Sequence, residues 1–429
     1  MGWNIGSTAF FVAAVIIVWS SIFGLYKSEE KQTGVTWIVM LLILLNCYHT
    51  FWAAVFDLVH IPINIISIGI IDMITGGIVW FFNWKKKKYQ KYEFAVSDLM
   101  FVVTAVVVLI IFAKTRYGGT ALNLNFLTID PANHFRAAMD LVNDGTVTSM
   151  FYETVWNGLF IEMLAPLATV DYYYRFYVLS ELIQVCLSAF VFYGIARKYS
   201  KDRFGRVAAY ILSFVYMIGY PMCSMIYGFT YLGMGVTVVG MLIILTDMYL
   251  KENMGKWMNI IFLMLGCLAI FECYVMFMPV TFFALITCIF VKQWKMHKLV
   301  SRDTVVTCLA VFLIPCILGF VYTYAGVFKD GVTVSSAIVN EGACYRDLFS
   351  NFVIYIPLIL FGFYAMCKKG DNNLVLFLAP YTFVFILSLL WKTVTGKAST
   401  YYFYKMYFLL WLIAFVLVFY GVVYAQKQS

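Results

Sequence analysis

The chain has 429 residues, 63% of them hydrophobic and only 12% charged, with a formal charge of +8. Its mean hydropathy of +0.87 goes with an apolar share well above the roughly 45 to 50% of ordinary soluble domains. These figures exclude a soluble globular enzyme and predict an all-α, polytopic transmembrane protein.

A hydrocarbon core of roughly 30 Å takes about 20 apolar residues per crossing. About thirteen transmembrane helices are predicted, near residues 7–26, 35–58, 62–82, 95–113, 172–195, 207–226, 229–250, 257–273, 275–291, 303–325, 351–367, 373–391 and 403–424. The first is long enough to span and lacks a basic leader, so no cleavable signal peptide is expected. Every second gap between these stretches, with the C-terminal tail, holds 21 of the 30 Lys and Arg residues, and the other side holds nine. By the positive-inside rule the N-terminus is expected outside the cytoplasm and the C-terminus inside, in a plasma (cytoplasmic) membrane. The net charge then reads as a topology signal and a grip on anionic membrane lipids, with no nucleic acid as partner. Nine of the ten cysteines fall in or at the ends of apolar stretches and only Cys344 in an outside loop, which gives neither a disulfide framework nor a metal-binding pair.

This alternation puts one long loop, Lys114 to Val170, outside the cytoplasm. Within it lies Asp130-Pro131-Ala132-Asn133-His134. Asp130 suits a helix N-cap and Pro131 the first helical position, after which Phe135, Ala138, Met139 and Val142 make an apolar face at helical spacing. That predicts a surface helix over residues 132–142, and the aromatic-rich stretch from Ser149 to Leu164 predicts a second. Asp130 reads equally as a cap and as a general base for an attacking hydroxyl. His134, one turn on, reads either as a headgroup-level histidine or as a catalytic partner sharing a substrate hydroxyl or a metal ion with Asp130.

With Gly219-Tyr220-Pro221 and Gly228-Phe229-Thr230-Tyr231-Leu232-Gly233, these residues resemble the GT-C superfamily of membrane glycosyltransferases, in its bacterial cell-envelope form. The resemblance spans residues 95–370 in architecture, with extracytoplasmic loops at 114–170 and 326–350. It implies a three-helix membrane segment over 1–94 ahead of the GT-C-like module, and a two-helix segment over 371–429 behind it. Members commonly carry the acidic loop after their first helix, whereas three stretches precede it here. The activity implied is sugar transfer, with inversion, from a polyprenyl-phosphate donor to a glycan or other envelope acceptor. Asp130 would be the general base and His134 a second catalytic residue.

Outside the cytoplasm no nucleotide sugar is reliably supplied, and a phosphate leaves readily once cations stabilise it. The expected phosphate contacts are Arg136, Arg346 and Lys405, with Tyr402 beside Lys405 and Glu272 at an outer helix end completing the substrate-binding set. Tyr402 and Lys405 also suit an interfacial aromatic belt with a snorkelling lysine. No cofactor is required and no metal ligand set is read, although a divalent cation could take part. The rival reading is a transporter or flippase, with Asp57, Asp72, Glu181 and Glu272 lining a path. Against it, no internal duplication of hydropathy is evident, and no nucleotide-binding glycine loop is present.

Overall fold

The computed structural model describes residues 4–23, 32–86, 91–116, 129–147, 151–299, 301–327, 338–339, 342, 352–369 and 373–428. Their helices are α1 (Ile5–Ile22), α2 (Gly34–Leu58), α3 (Ile65–Lys86), α4 (Val96–Arg116), α5 (Ile129–Asp144), α6 (Phe151–Leu164), α7 (Tyr173–Tyr199) and α8 (Arg203–Ile218). They continue as α9 (Thr230–Leu250), α10 (Lys256–Cys273), α11 (Met278–Lys295), α12 (Arg302–Val327), α13 (Ile356–Lys369), α14 (Leu374–Val394), α15 (Thr400–Lys405) and α16 (Tyr407–Gln428). Among the described residues the fold is therefore all-α apart from a two-residue parallel pairing of Gln32–Thr33 with Tyr92–Glu93.

Among the described residues, twelve helical stretches are long and apolar enough to cross a membrane. The protein is an integral membrane protein. The difference from thirteen lies at residues 351–367, where α13 has only 14 residues, about 21 Å of helix at 1.5 Å per residue.

The centre of the bundle is α9, buried without interruption from Thr230 to Tyr249, as an apolar helix does when protein surrounds it on all sides. Beside it run α2, α7, α10 and α16, each buried over most of its length. The outer helices keep large apolar side chains exposed, such as Val103 and Ile110 on α4 and Ile317 and Phe320 on α12. Lipid replaces water as their neighbour, so this exposure carries no hydrophobic cost.

Between α4 and α7 the two short helices fold inward. α5 begins at Ile129, which places Asp130 in its first turn rather than at the cap. Its inner face is His134, Ala137, Ala138, Leu141 and Val142, and Phe135 and Met139 are half-buried. Gly145 ends it with φ +67° and an N–H donated to Leu141 O at 2.8 Å, the left-handed termination that glycine adopts without strain. α6 departs from the surface helix expected over Ser149 to Leu164. Ten of its 14 residues are buried, because it packs against α1, α2, α5, α7 and α10 together. Its aromatic and branched residues serve that packing rather than a headgroup layer.

Candidate active site

The site is built where α5 and α6 meet the ends of α7, α9, α10 and α15. Pro131 sets the backbone of the first turn of α5, and a carboxylate there is stabilised by the free N–H groups of the helix start. Asp130 is exposed. Its backbone lies against Gly228, which has φ +98°. A Cβ at Gly228 would stand 2.5 Å from Asp130 Cβ and 3.2 Å from Pro131 Cδ. The turn before α9 thus has to be glycine both for its own conformation and for the closeness of α5.

His134 turns inward and is 8% exposed. Its Nδ1 lies 2.8 Å from both carboxylate oxygens of Glu153, which is 2% exposed. Burial alone would push the imidazolium pKa down. The charge and hydrogen bond of Glu153, with Glu181 and Asp130 adding to them, outweigh that and raise it to about 9. His134 is therefore cationic at neutral pH. With its Nδ1–H committed to Glu153, Nε2–H is the donor left for a ligand.

Glu181 anchors the floor. Its Oε1 accepts from Asn157 Nδ2 at 3.2 Å, and Thr230 Oγ1 donates to its Oε2 at 2.5 Å. Ser180 Oγ in turn donates to Asn157 Oδ1 at 2.6 Å. One carboxylate so joins α6, α7 and the first residue of α9, an interhelical hydrogen-bonded role.

On the other side of Tyr231 sits Lys405. The ring of Tyr231 is 5.7 Å from that of His134 and 5.3 Å from Lys405 Nζ. Tyr401 at 4.0 Å, Tyr274 at 5.6 Å and Tyr402 at 5.6 Å complete an aromatic enclosure of the ammonium. Lys405 is 8% exposed, so it is held among rings rather than snorkelling, and the faces of those rings attract the cation.

The structure thus gathers Asp130, His134, Lys405 and Tyr402 around Tyr231, and adds Glu153, Tyr231, Tyr274 and Tyr401, which were not singled out from sequence as site residues. Tyr231 lay within the quoted Gly228–Gly233 stretch; Glu153 had only the weak signal of a lone acid at the start of an apolar segment. Arg136 is exposed on α5. Glu272 ends α10 outside this network, and its Oε1 is buried with no hydrogen-bond partner. Arg346 and Cys344 lie outside the described residues. Asp72 pairs with His49 at 3.0 Å between α2 and α3. Among the described residues no group of three or more His, Cys, Asp or Glu side chains could hold a metal ion. No family model, curated protein or solved structure matches the chain.

Proposed function

We propose that the chain is a GT-C-like membrane glycosyltransferase, moving a sugar from a polyprenyl-phosphate donor to an extracytoplasmic envelope acceptor. The observation that supports this reading is Tyr231. It stands between two enclosed cations, His134 and Lys405, with the exposed Asp130 carboxylate one helical turn from His134. A base beside two cations is the minimal equipment for displacing a phosphate from a sugar. Asp130 accepts the proton of the acceptor hydroxyl as its oxygen attacks the anomeric carbon. The bond to the phosphate oxygen breaks on the opposite face, which inverts the carbon. The imidazolium of His134 and the ammonium of Lys405 then stabilise the departing charge, which counts for more in an enclosed site than in water. Arg136, on the exposed face of α5, is assigned to the phosphate approach, and Tyr402 to the sugar.

The charge asymmetry supports an orientation with this rim outside the cytoplasm, the N-terminus outside and the C-terminus inside. The test is transfer from polyprenyl-phosphate sugars in proteoliposomes. Asp130→Asn is expected to lower the rate by roughly 10²–10⁴-fold with an unchanged melting curve. A wild-type rate removes Asp130 as the base. Counterflow of substrate with no covalent product replaces the transferase with a transporter.

A further inference from the structure

Away from the Asp130 rim, the finish of α9 and α11 and the start of α10 and α12 border a cavity of about 270 Å³. That volume is several times the roughly 30 Å³ share of one water molecule. Lys256, Lys292, Glu252, Asp303, Asn259 and Gln293 line it. Two of these side chains hold an acceptor that no donor among the described residues reaches. Asn259 and Gln293 are each 1% exposed, and Asn259 Oδ1 and Gln293 Oε1 have no hydrogen-bond partner. A carbonyl oxygen buried in that state is costly until a donor arrives. Gln293 also lies beside Asp303, which puts its amide next to a carboxylate.

The start of α10 offers the opposite chemistry. Its first residue is Lys256, and Gly255 before it has no side chain to cap the helix, so the N–H groups of the first turn favour an anion. Lys256 pairs with Asp303, and Lys292 Nζ lies 3.1 Å from Glu252 Oε1, so each cation of the wall has a carboxylate beside it. An anion alone leaves the two amide oxygens unmatched, and a cation alone leaves the helix start unmatched. A zwitterion answers both. Exposed apolar residues continue from the same two helix starts, Trp257 and Ile261 on α10 and Val305 and Leu309 on α12. The members of each pair are four residues apart, one above the other on a helix face.

We propose that this cavity binds the headgroup of phosphatidylethanolamine. The phosphate meets the first turn of α10 with Lys256 and Lys292, and the acyl chains follow the apolar faces of α10 and α12. The three N–H groups of the primary ammonium suffice for Asn259 Oδ1, Gln293 Oε1 and the Asp303 carboxylate. A quaternary ammonium has no N–H, so phosphatidylcholine leaves both amide oxygens unmatched. The proposal does not depend on the transferase reading.

The protein is purified in a nonionic detergent and unfolded thermally with phosphatidylethanolamine, phosphatidylcholine, phosphatidylglycerol or soluble phosphoethanolamine. Phosphatidylethanolamine is expected to raise Tm by about 2–4 °C, as preferential binding to the folded state does. The other three at the same concentration leave it unchanged. Asn259→Leu exchanges the amide for an apolar side chain of the same branching, keeps or raises its own Tm and loses the shift. Gly255→Asp, whose added Cβ meets nothing within 4 Å, caps α10 with its own carboxylate and loses the shift as well. An equal shift with phosphatidylcholine or phosphatidylglycerol, the same shift with phosphoethanolamine alone, or an undiminished shift in either variant overturns the proposal. So does the absence of any shift, the result expected of a cavity that holds water only. Native mass spectrometry gives a second reading, in which the phosphatidylethanolamine retained by the wild type is lost from Gly255→Asp even where Asn259→Leu does not fold.

Discussion

The two ends of the helical bundle handle charge in opposite ways. At the end that carries Arg197, Lys198 and Lys251, five ion pairs are described, four of them tying different helical segments together, and Asp98 shows the pattern. Its Oδ1 accepts from Arg197 Nε at 2.9 Å and from Tyr193 OH at 2.7 Å, while Oδ2 accepts from the Ala95 N–H at 2.8 Å. At the Asp130 end, among the described residues, one ion pair, His134 with Glu153, stands beside an enclosed lysine and an exposed carboxylate. Charges matched to each other hold helices in place. Under the proposed reading, the exposed Asp130 carboxylate and the ring-enclosed Lys405 are the groups that meet substrate, so the first end is assigned to stability and the second to chemistry.

The largest expected effect tests the structural end. Arg197 is 2% exposed and its Nη1 has no hydrogen-bond partner, so Asp98→Ala leaves a buried cation unmatched, at about 3–5 kcal/mol. Chemical denaturation in detergent should show that loss, and transfer by the protein that remains folded should stay at the wild-type rate. A selective loss of transfer without a loss of stability would undo the division between the two ends.

Glu153→Gln comes next and crosses the same division from the other side. Replacing the carboxylate removes a charged hydrogen bond, at about 1.5–3 kcal/mol. The folded-state pKa of His134 is raised to about 9 against about 6.5 in the unfolded chain. The stability it contributes is therefore fully present below about pH 6.5 and lost as the pH rises through about 9. Melting curves across that window should fall in the wild type and flatten in Glu153→Gln. A slope that persists in the variant assigns the titration to another group.

Much of this division was legible in the sequence. The spacing of apolar stretches located the crossings, because a fixed bilayer thickness demands a fixed length, and Asp130-Pro131 with its apolar face located α5. What the sequence concealed came from contacts between distant segments. Lys405 reads as a snorkelling lysine until Tyr231, on α9, and Tyr274, just past the end of α10, close over it. Glu153 reads as one polar residue in a surface helix until α6 turns inward and brings it to His134. The short α13 read as a crossing because its composition is apolar, and its length depends on where the helix starts, which composition does not encode.

The smallest of these effects concerns the contact that sets Asp130 in place. Gly228 is the last residue before Phe229 and α9, and its φ of +98° costs an L-residue roughly 1–2 kcal/mol. Gly228→Ala should therefore lower stability by about that amount through its own backbone. The added Cβ, however, meets Asp130 Cβ and Pro131 Cδ, so the first turn of α5 must move away from the rim while His134, one turn deeper, stays held by Glu153. Catalysis that depends on where the carboxylate sits then falls by far more than stability does, with the pH dependence set by His134 unchanged. If transfer in Gly228→Ala drops only in proportion to its folded fraction, the position of Asp130 does not matter to the reaction, and its carboxylate serves the start of α5 alone.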